Sequence, residues 1–319
     1  MQVTFSILRY NPDKKENHSY VQEYTVEIEP TASILDGLIK IREDVDGSLA
    51  LRCSCRSAIC GSCAMRVNGH ATLACNTQVV DVLGSDNKVT VEPMGNMPVV
   101  KDLVVDQKLF WNKVKQVSPW LQPKGPEPEG EYLAPNEAMT HLAGVMGCIM
   151  CGACVSDCTV LEVDENFIGP AALAKAYRFV ADPRDAEDTS RLKELSEYGG
   201  VWDCTRCFEC VEVCPKGVAP MNRIMALRDE AMDQGYNSSY GARHTNAFAE
   251  SVGHSGWLDE LRLPIKTVGI FNLPALMNFA PVGLRAVLKG KMPPIFHRAV
   301  PNVRNVRRIF KMVESKDKN

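Results

Sequence analysis

Two stretches decide how the chain is read: Cys148-Ile149-Met150-Cys151-Gly152-Ala153-Cys154-Val155-Ser156-Asp157-Cys158, and Cys204-Thr205-Arg206-Cys207-Phe208-Glu209-Cys210-Val211-Glu212-Val213-Cys214-Pro215. Both have the spacing Cys-x2-Cys-x2-Cys-x3-Cys, and together they hold eight of the thirteen cysteines. In that spacing the first three thiolates take three corners of a cubane and the fourth ligates the other cluster. The two runs are therefore one unit. Cys148, Cys151, Cys154 and Cys214 are expected to hold one 4Fe-4S cluster, and Cys204, Cys207, Cys210 and Cys158 the second. Disulfides are disfavoured, because Met1-Gln2-Val3 leads straight into a strand pattern with no secretory signal ahead of it. A zinc site is filled by four ligands and does not call for two runs of four.

Working outward, Cys55-x4-Cys60-x2-Cys63 follows the plant-type 2Fe-2S spacing, and Cys75 returns after eleven more residues as the fourth ligand. Ser57, Gly61 and Ser62 permit a tight loop whose amides can point at sulfur, and Asn68-Gly69 turns the hairpin that brings Cys75 back. Cys53 is read as a spectator. Upstream, Val3 to Tyr10 and Tyr20 to Ile28 alternate as a hairpin around Asn11-Pro12-Asp13. Ile34, Leu35, Leu38 and Ile41 then mark a helix capped by Thr31 or Ser33. Val89 to Glu92 form a closing strand before Pro93.

Between Ser118 and Glu137 five prolines and two glycines exclude a helix or ladder, and this stretch is read as an extended strap at the domain boundary. Beyond it, Ala138 to Met146, Ala171 to Val180 after Pro170, and a helix starting at Pro220 and ending at Gly235 carry the cysteine runs. Met221, Ile224, Met225 and Met232 face inward on the last of these. Asp182-Pro183-Arg184-Asp185 and Arg191 read as surface charges with no chemical role.

The net charge of -3 conceals two unlike halves: residues 1 to 235 hold 23 Lys and Arg against 34 Asp and Glu, and residues 236 to 319 hold 13 against 5. An acidic body with a basic tail argues against nucleic acid and for a tail that meets an anionic surface such as a membrane leaflet. Thr267 to Leu284 is uncharged, but Pro274, Pro281, Gly269, Gly283, Asn272 and Asn278 favour an interfacial or partner-docked segment over a span. Val303, Val306, Phe310 and Val313 mark one face of a short amphipathic helix, with Arg304, Arg307, Arg308 and Lys311 off it. No Gly-x-Gly-x-x-Gly fingerprint or nucleophile constellation is present, so substrate chemistry must lie in a partner.

The plant-type loop, Asp102-Leu103-Val104-Val105-Asp106, the two runs, Phe167-Ile168-Gly169-Pro170-Ala171, Ala176-Tyr177-Arg178-Phe179 and Cys214-Pro215-Lys216-Gly217 together resemble the iron–sulfur subunit of succinate dehydrogenase and fumarate reductase over roughly residues 1 to 230. The resemblance implies an α+β chain with a β-grasp 2Fe-2S ferredoxin domain at 1–104 and an all-α ferredoxin domain with two cubane-type clusters at 137–235; the proline content places a linker at 105–136, and the charge makes 236–319, beyond the resemblance, a basic extension expected to dock on an anchor or membrane. The resemblance further implies succinate dehydrogenase (quinone) activity, or its reverse, in a complex with an FAD-containing flavoprotein, membrane anchor subunits and quinone. The complex would sit on the cytoplasmic side of the inner membrane. Two departures stand out. Family members usually lack a cysteine at the position of Cys207 and hold 3Fe-4S there; here a third cluster of 4Fe-4S type is favoured. Where the family usually has Pro, Ser and Trp lining a quinone pocket, this chain has Thr159-Val160-Leu161-Glu162-Val163.

The tail stretches Arg243 to Phe248 and Ser255 to Glu260, with Lys289-Gly290-Lys291, are similar to heterodisulfide-reductase-type subunits. A heterodisulfide-reductase-like or glycolate-oxidase-like subunit is thus one rival reading, and a soluble ferredoxin-type carrier another. The 2Fe-2S loop discriminates against the first, and the basic tail against the second.

Overall fold

A computed structural model describes residues 1–14, 18–123, 125–294 and 298–316. The end of the extension, 317–319, lies outside them. The chain divides into two compact units, Met1–Glu230 and Ala231–Asn319.

The first unit opens with β1 (Gln2–Tyr10) and β2 (Ser19–Glu27), antiparallel from Gln2 opposite Glu27 to Tyr10 opposite Ser19. α1 (Ile34–Lys40) follows and runs on into one π turn, Ile41–Val45. Of the two expected caps Ser33 is used: its hydroxyl accepts from the Asp36 amide while the Asp36 carboxylate accepts from the Ser33 amide, a reciprocal box. The helix crosses the sheet at Gly37, where a Cβ would stand 2.3 Å from Phe5 Cζ, so only glycine lets helix and ring approach this closely. Ile34, Leu35, Leu38 and Ile41 bury fully beneath it with Val3, Phe5 and Ile7.

β3 (Ala64–Val67) and β4 (His70–Leu73) form the hairpin turned at Asn68-Gly69. A short α2 (Val79–Val82) leads to β5 (Lys88–Glu92), which inserts between β1 and β3, parallel to the first and antiparallel to the second. The sheet order β2-β1-β5-β3-β4 with one crossing helix is a β-grasp arrangement. β6 (Val99–Lys101) and β7 (Val104–Val105) pair apart from it. Between them Asp102 is buried and clamps the sheet: its carboxylate accepts from Arg9 Nε at 2.8 Å and Nη2 at 3.1 Å, and from the amides of Tyr10 and Ala50. The opening Asp of the Asp-Leu-Val-Val-Asp stretch is thus a structural tie.

Residues 108–116, within the expected linker, form α3 (Lys108–Gln116), with Phe110 and Val114 buried. The proline-rich part beyond Ser118 has neither helix nor strand among its described residues. Then come α4 (Asn136–Met146), α5 (Ala153–Ser156), α6 (Pro170–Val180), α7 (Asp188–Leu195), a 3-10 turn at Val201–Asp203, α8 (Glu209–Glu212) and α9 (Pro220–Asp233). On α9, Met221 and Ile224 are buried as expected, Met225 and Met232 only half-buried, and Leu227 and Ala231 complete the inward face.

The reading of Asp182, Asp185 and Arg191 as surface charges is corrected. The side chains of Asp182 and Asp185 are 0% exposed and that of Arg191 is 6% exposed. Arg191 donates to the carbonyls of Val117, Ser118 and Trp120 at 2.8–2.9 Å and to Asp185, whose carboxylate also accepts from the Gln122 amide at 3.0 Å. The start of the strap is pinned by this pair. Asp182 is gripped by Arg178 and by Arg184. Burial alone would raise its pKa, yet the Arg184 and Arg178 hydrogen bonds outweigh that and hold the carboxyl well below the usual range. The sequence pattern is that of a solvated turn; what meets Asp185 and Arg191 is the strap, brought there from 63 and 71 residues away.

In the second unit, α10 (Tyr240–Ser255) is capped by Ser239 and ends at Gly256. α11 (Arg262–Val268) packs on it, followed by α12 (Leu273–Met277), α13 (Ala280–Leu288) and α14 (Val303–Lys316). Val303, Val306 and Phe310 of the expected amphipathic face are half-buried, Phe310 lying over Gly253 of α10, whereas Val313 is exposed. The uncharged run from Thr267 is broken into separate short helices, and among the described residues no helix is long and apolar enough to cross a membrane.

Candidate iron–sulfur sites

The loop from Cys55 to Cys63 is curled by left-handed backbone at Arg56 (φ 55), Ala58 (φ 56) and Gly61 (φ 73). Successive amides turn inward as a result. Cys55 Sγ accepts from the amides of Ser57, Ile59 and Cys60 at 3.4, 3.4 and 3.2 Å, and Cys75 Sγ accepts from Ala58 at 3.3 Å. Cys60 Sγ accepts from the Cys55 amide at 3.5 Å. The Ser62 hydroxyl, then the amides of Cys55 and Ser62, lower the Cys60 thiol to about 6. Cys63 is buried, and burial pushes it up to about 12. The donors surround Cys55, Cys60 and Cys75, which suits sulfurs that carry negative charge.

The two ferredoxin-type runs repeat each other in backbone as well as spacing. The second residue after the first cysteine is left-handed in both, Met150 (φ 55) and Arg206 (φ 61), as is the residue after the second cysteine, Gly152 (φ 83) and Phe208 (φ 69). A single helical turn then follows each, α5 and α8. Cys148, Cys151, Cys154 and Cys214 line one cavity with Ala171, Ala174 and Val218. Burial pushes the Cys154 thiol well up, with Cys151, Cys148, Cys210 and Cys214 adding to the effect. Burial, with Cys204, Cys158 and Cys207 close by, pushes Cys210 up to about 12. Cys207 is exposed and accepts from the Thr159 hydroxyl at 3.5 Å.

Among the described residues no three His, Cys, Asp or Glu side chains converge tightly enough to hold one metal ion. Cys148, Cys151, Cys154 and Cys214 stand around a small apolar void, the arrangement a multi-iron cluster needs, because each thiolate binds its own iron. Crowded buried thiols ionise at a cost, and iron supplies the compensating charge. Those four residues therefore suit the cluster that their spacing implies.

Residues 4–112 match the 2Fe-2S iron-sulfur cluster binding domain, and residues 144–218 the 4Fe-4S dicluster domain. The fumarate reductase iron-sulfur subunit of Mycobacterium tuberculosis is 39% identical over 229 residues, 71% of this chain and 92% of its own length. The chain belongs to the succinate dehydrogenase and fumarate reductase iron–sulfur subunits. A solved structure, the Mycobacterium smegmatis Sdh1 complex in the apo form, superposes with a TM-score of 0.63 at 26% identity, covering 74% of this chain and 98% of that one. The chain is thus an iron–sulfur electron-transfer subunit of an oxidoreductase complex of the complex II type. Its domains bind 2Fe-2S and 4Fe-4S groups.

In this iron–sulfur subunit several residues not singled out from the sequence hold the cysteine loops together. Asn96 Nδ2 donates to the carbonyls of Val155, Ser156 and Cys158 at 2.8, 3.1 and 3.0 Å. Asp157, buried between two cysteines of the first run, accepts from the Ala71 amide of β4 at 2.7 Å and from the Ser156 hydroxyl at 2.8 Å. Its other neighbour, Arg66 Nε, is 3.5 Å away. Arg228 is buried on α9 and donates to the carbonyls of Val201 and Cys204 at 2.8 and 2.7 Å, fixing the start of the second run; burial lowers it to about 10. Lys113 of α3 donates to the carbonyls of Glu165 and Phe167. The available signal was polarity next to a cysteine, as at Asp157. The partners are distant in sequence and left no pattern to read.

Gly61 links the two cysteine systems. A Cβ there would stand 2.8 Å from Cys151 Cβ and 3.3 Å from the Ile149 carbonyl oxygen, so the 2Fe-2S loop and the first cubane loop are in direct contact.

Proposed function

We propose that the chain is the electron-transfer subunit of a succinate:quinone oxidoreductase, carrying electrons from an FAD subunit toward a membrane anchor and quinone. The reading rests most on the contact of the Gly61 loop with Cys151. Iron–sulfur clusters accept electrons one at a time, with potentials set by sulfur hydrogen bonds and burial. The chain's own residues give those potentials their setting: the amides of residues 57–60 face sulfur at the first site, and Ala171, Ala174 and Val218 line the second.

The proposed ligands are Cys55, Cys60, Cys63 and Cys75 for 2Fe-2S; Cys148, Cys151, Cys154 and Cys214 for 4Fe-4S; and Cys158, Cys204, Cys207 and Cys210 for the third cluster. A 4Fe-4S cluster is favoured at that third site, because Cys207 completes a set of four. The proposed domains are 1–104, 105–136, 137–235 and 236–319. The complex would lie peripherally on the cytoplasmic side of the inner membrane. The name of the Mycobacterium tuberculosis relative favours fumarate reduction as the alternative direction.

The test is Cys60→Ser in the assembled complex. Succinate oxidation with an artificial dye should persist while quinone reduction falls by at least about ten-fold. Unchanged quinone reduction overturns the relay.

A further inference from the structure

Residues 261 to 313 contain no acidic residue at all and carry ten cations: Arg262, Lys266, Arg285, Lys289, Lys291, Arg298, Arg304, Arg307, Arg308 and Lys311. Over fifty residues without an Asp or Glu, in a chain that is 24% charged and acidic elsewhere, is a segment built for an anionic surface. Within it the apolar side chains face outward. α12 and α13 bury none of their residues; Phe271 is 91% exposed, Leu288 76%, Met277 72%, and Val282, Leu284 and Val287 more than half exposed. Surface of this kind, contiguous in sequence over about eighteen residues, marks a contact that removes it from water.

The cations and the apolar residues alternate in the same short stretch. Arg285 and Lys289 stand on or at the end of α13, with Lys291 just beyond. Neither helix approaches the length of a span, and both begin with a proline in the first turn, so each is a short rod suited to lying flat. Apolar side chains reaching a few ångströms into the acyl boundary, with Lys and Arg at headgroup depth, is the chemistry of an interfacial helix. A protein groove would match the apolar face but would give no reason for a complete absence of acidic residues.

We propose that α12 and α13 insert into the headgroup region of an anionic lipid leaflet, so that the chain binds bilayer directly as well as through any anchor subunit. This inference rests on the peripheral-membrane reading above.

The test is co-sedimentation of the full cluster-loaded chain, without anchor, with vesicles of phosphatidylcholine alone or mixed with phosphatidylglycerol. Binding to the mixed vesicles is expected, weakening with salt. Removing Arg285, Lys289 and Lys291 together as glutamine should weaken it by on the order of five-fold per charge. Leu284→Glu with Leu288→Glu should abolish it, while the cluster absorbance stays that of the parent. Phe271→Trp, at a position already exposed, is expected to be quenched by brominated acyl chains. Equal binding to neutral and anionic vesicles, or no quenching, overturns the proposal. If the chain ignores vesicles but fractionates with cell membranes only when the anchor is present, the tail's occupant is protein and the peripheral reading survives. If it is absent from membrane fractions altogether, both fall.

Discussion

Single residues divide into those whose type announced their role and those whose setting did. The cysteines belong to the first group, because a thiol at x2, x2, x3 spacing has few other uses. Arg191 and Asp182 belong to the second, since an Asp-Pro-Arg-Asp turn is solvated in most proteins and only the folded partners, the strap at Arg191 and two arginines at Asp182, reveal an interior. Asp182 gives a pH prediction. Its carboxyl ionises at lower pH folded than unfolded, where the value is about 4. The folded state is therefore favoured by that ionisation. The stabilisation is complete above roughly pH 5 and is lost as pH falls through the folded value. Asp182→Asn, which leaves Arg178 and Arg184 without their counter-charge, should cost about 3 kcal/mol at pH 7. Melting curves of parent and variant should draw together as pH drops below about 4. A gap constant from pH 7 to pH 3 would show that the carboxylate charge has no part in the clamp.

At the scale of elements, most of the β-grasp half was readable because its signals are local: period-two strands, a capping box at Ser33, an Asn-Gly turn. Two things were not. β5 entering between β1 and β3 depends on Lys88 pairing with Thr4, 84 residues away, for which a single sequence carries no trace. α3 was absorbed into the linker because its only inward residues are Phe110 and Val114, too few for a helical period. The contact between the Gly61 loop and the Cys151 loop was equally invisible, since glycine there reads as turn chemistry. Gly61→Ala should reveal it. The left-handed backbone costs alanine about 1–2 kcal/mol, and the new Cβ overlaps Cys151, so the loops must separate. Expected are a less stable 2Fe-2S site and slower electron passage between the loops, read by rapid-mixing reoxidation of the reduced complex. An unchanged rate would mean that electrons do not pass by this contact.

At the scale of the molecule, two compact units carry unlike surfaces, an acidic one with the cysteine sites and a basic one with short helices and exposed apolar residues. The charge split was legible from composition alone. How the uncharged run breaks into α12 and α13 was legible only in outline, from its Pro, Gly and Asn residues. A chain ending at Gly235 should keep its cluster absorbance and lose its attachment to membranes, measured by fractionation. Retained sedimentation would place the attachment in the first unit. The central claim, that this one chain holds three clusters on twelve cysteines, is tested most directly by iron content with low-temperature EPR on complex prepared without oxygen. The account predicts about ten irons per chain, three separate one-electron reductions, and conversion of the third site to a 3Fe-4S signal in Cys207→Ser. About nine irons with a dominant 3Fe-4S signal in the unaltered oxidised protein, unmoved by added ferrous iron, would contradict it.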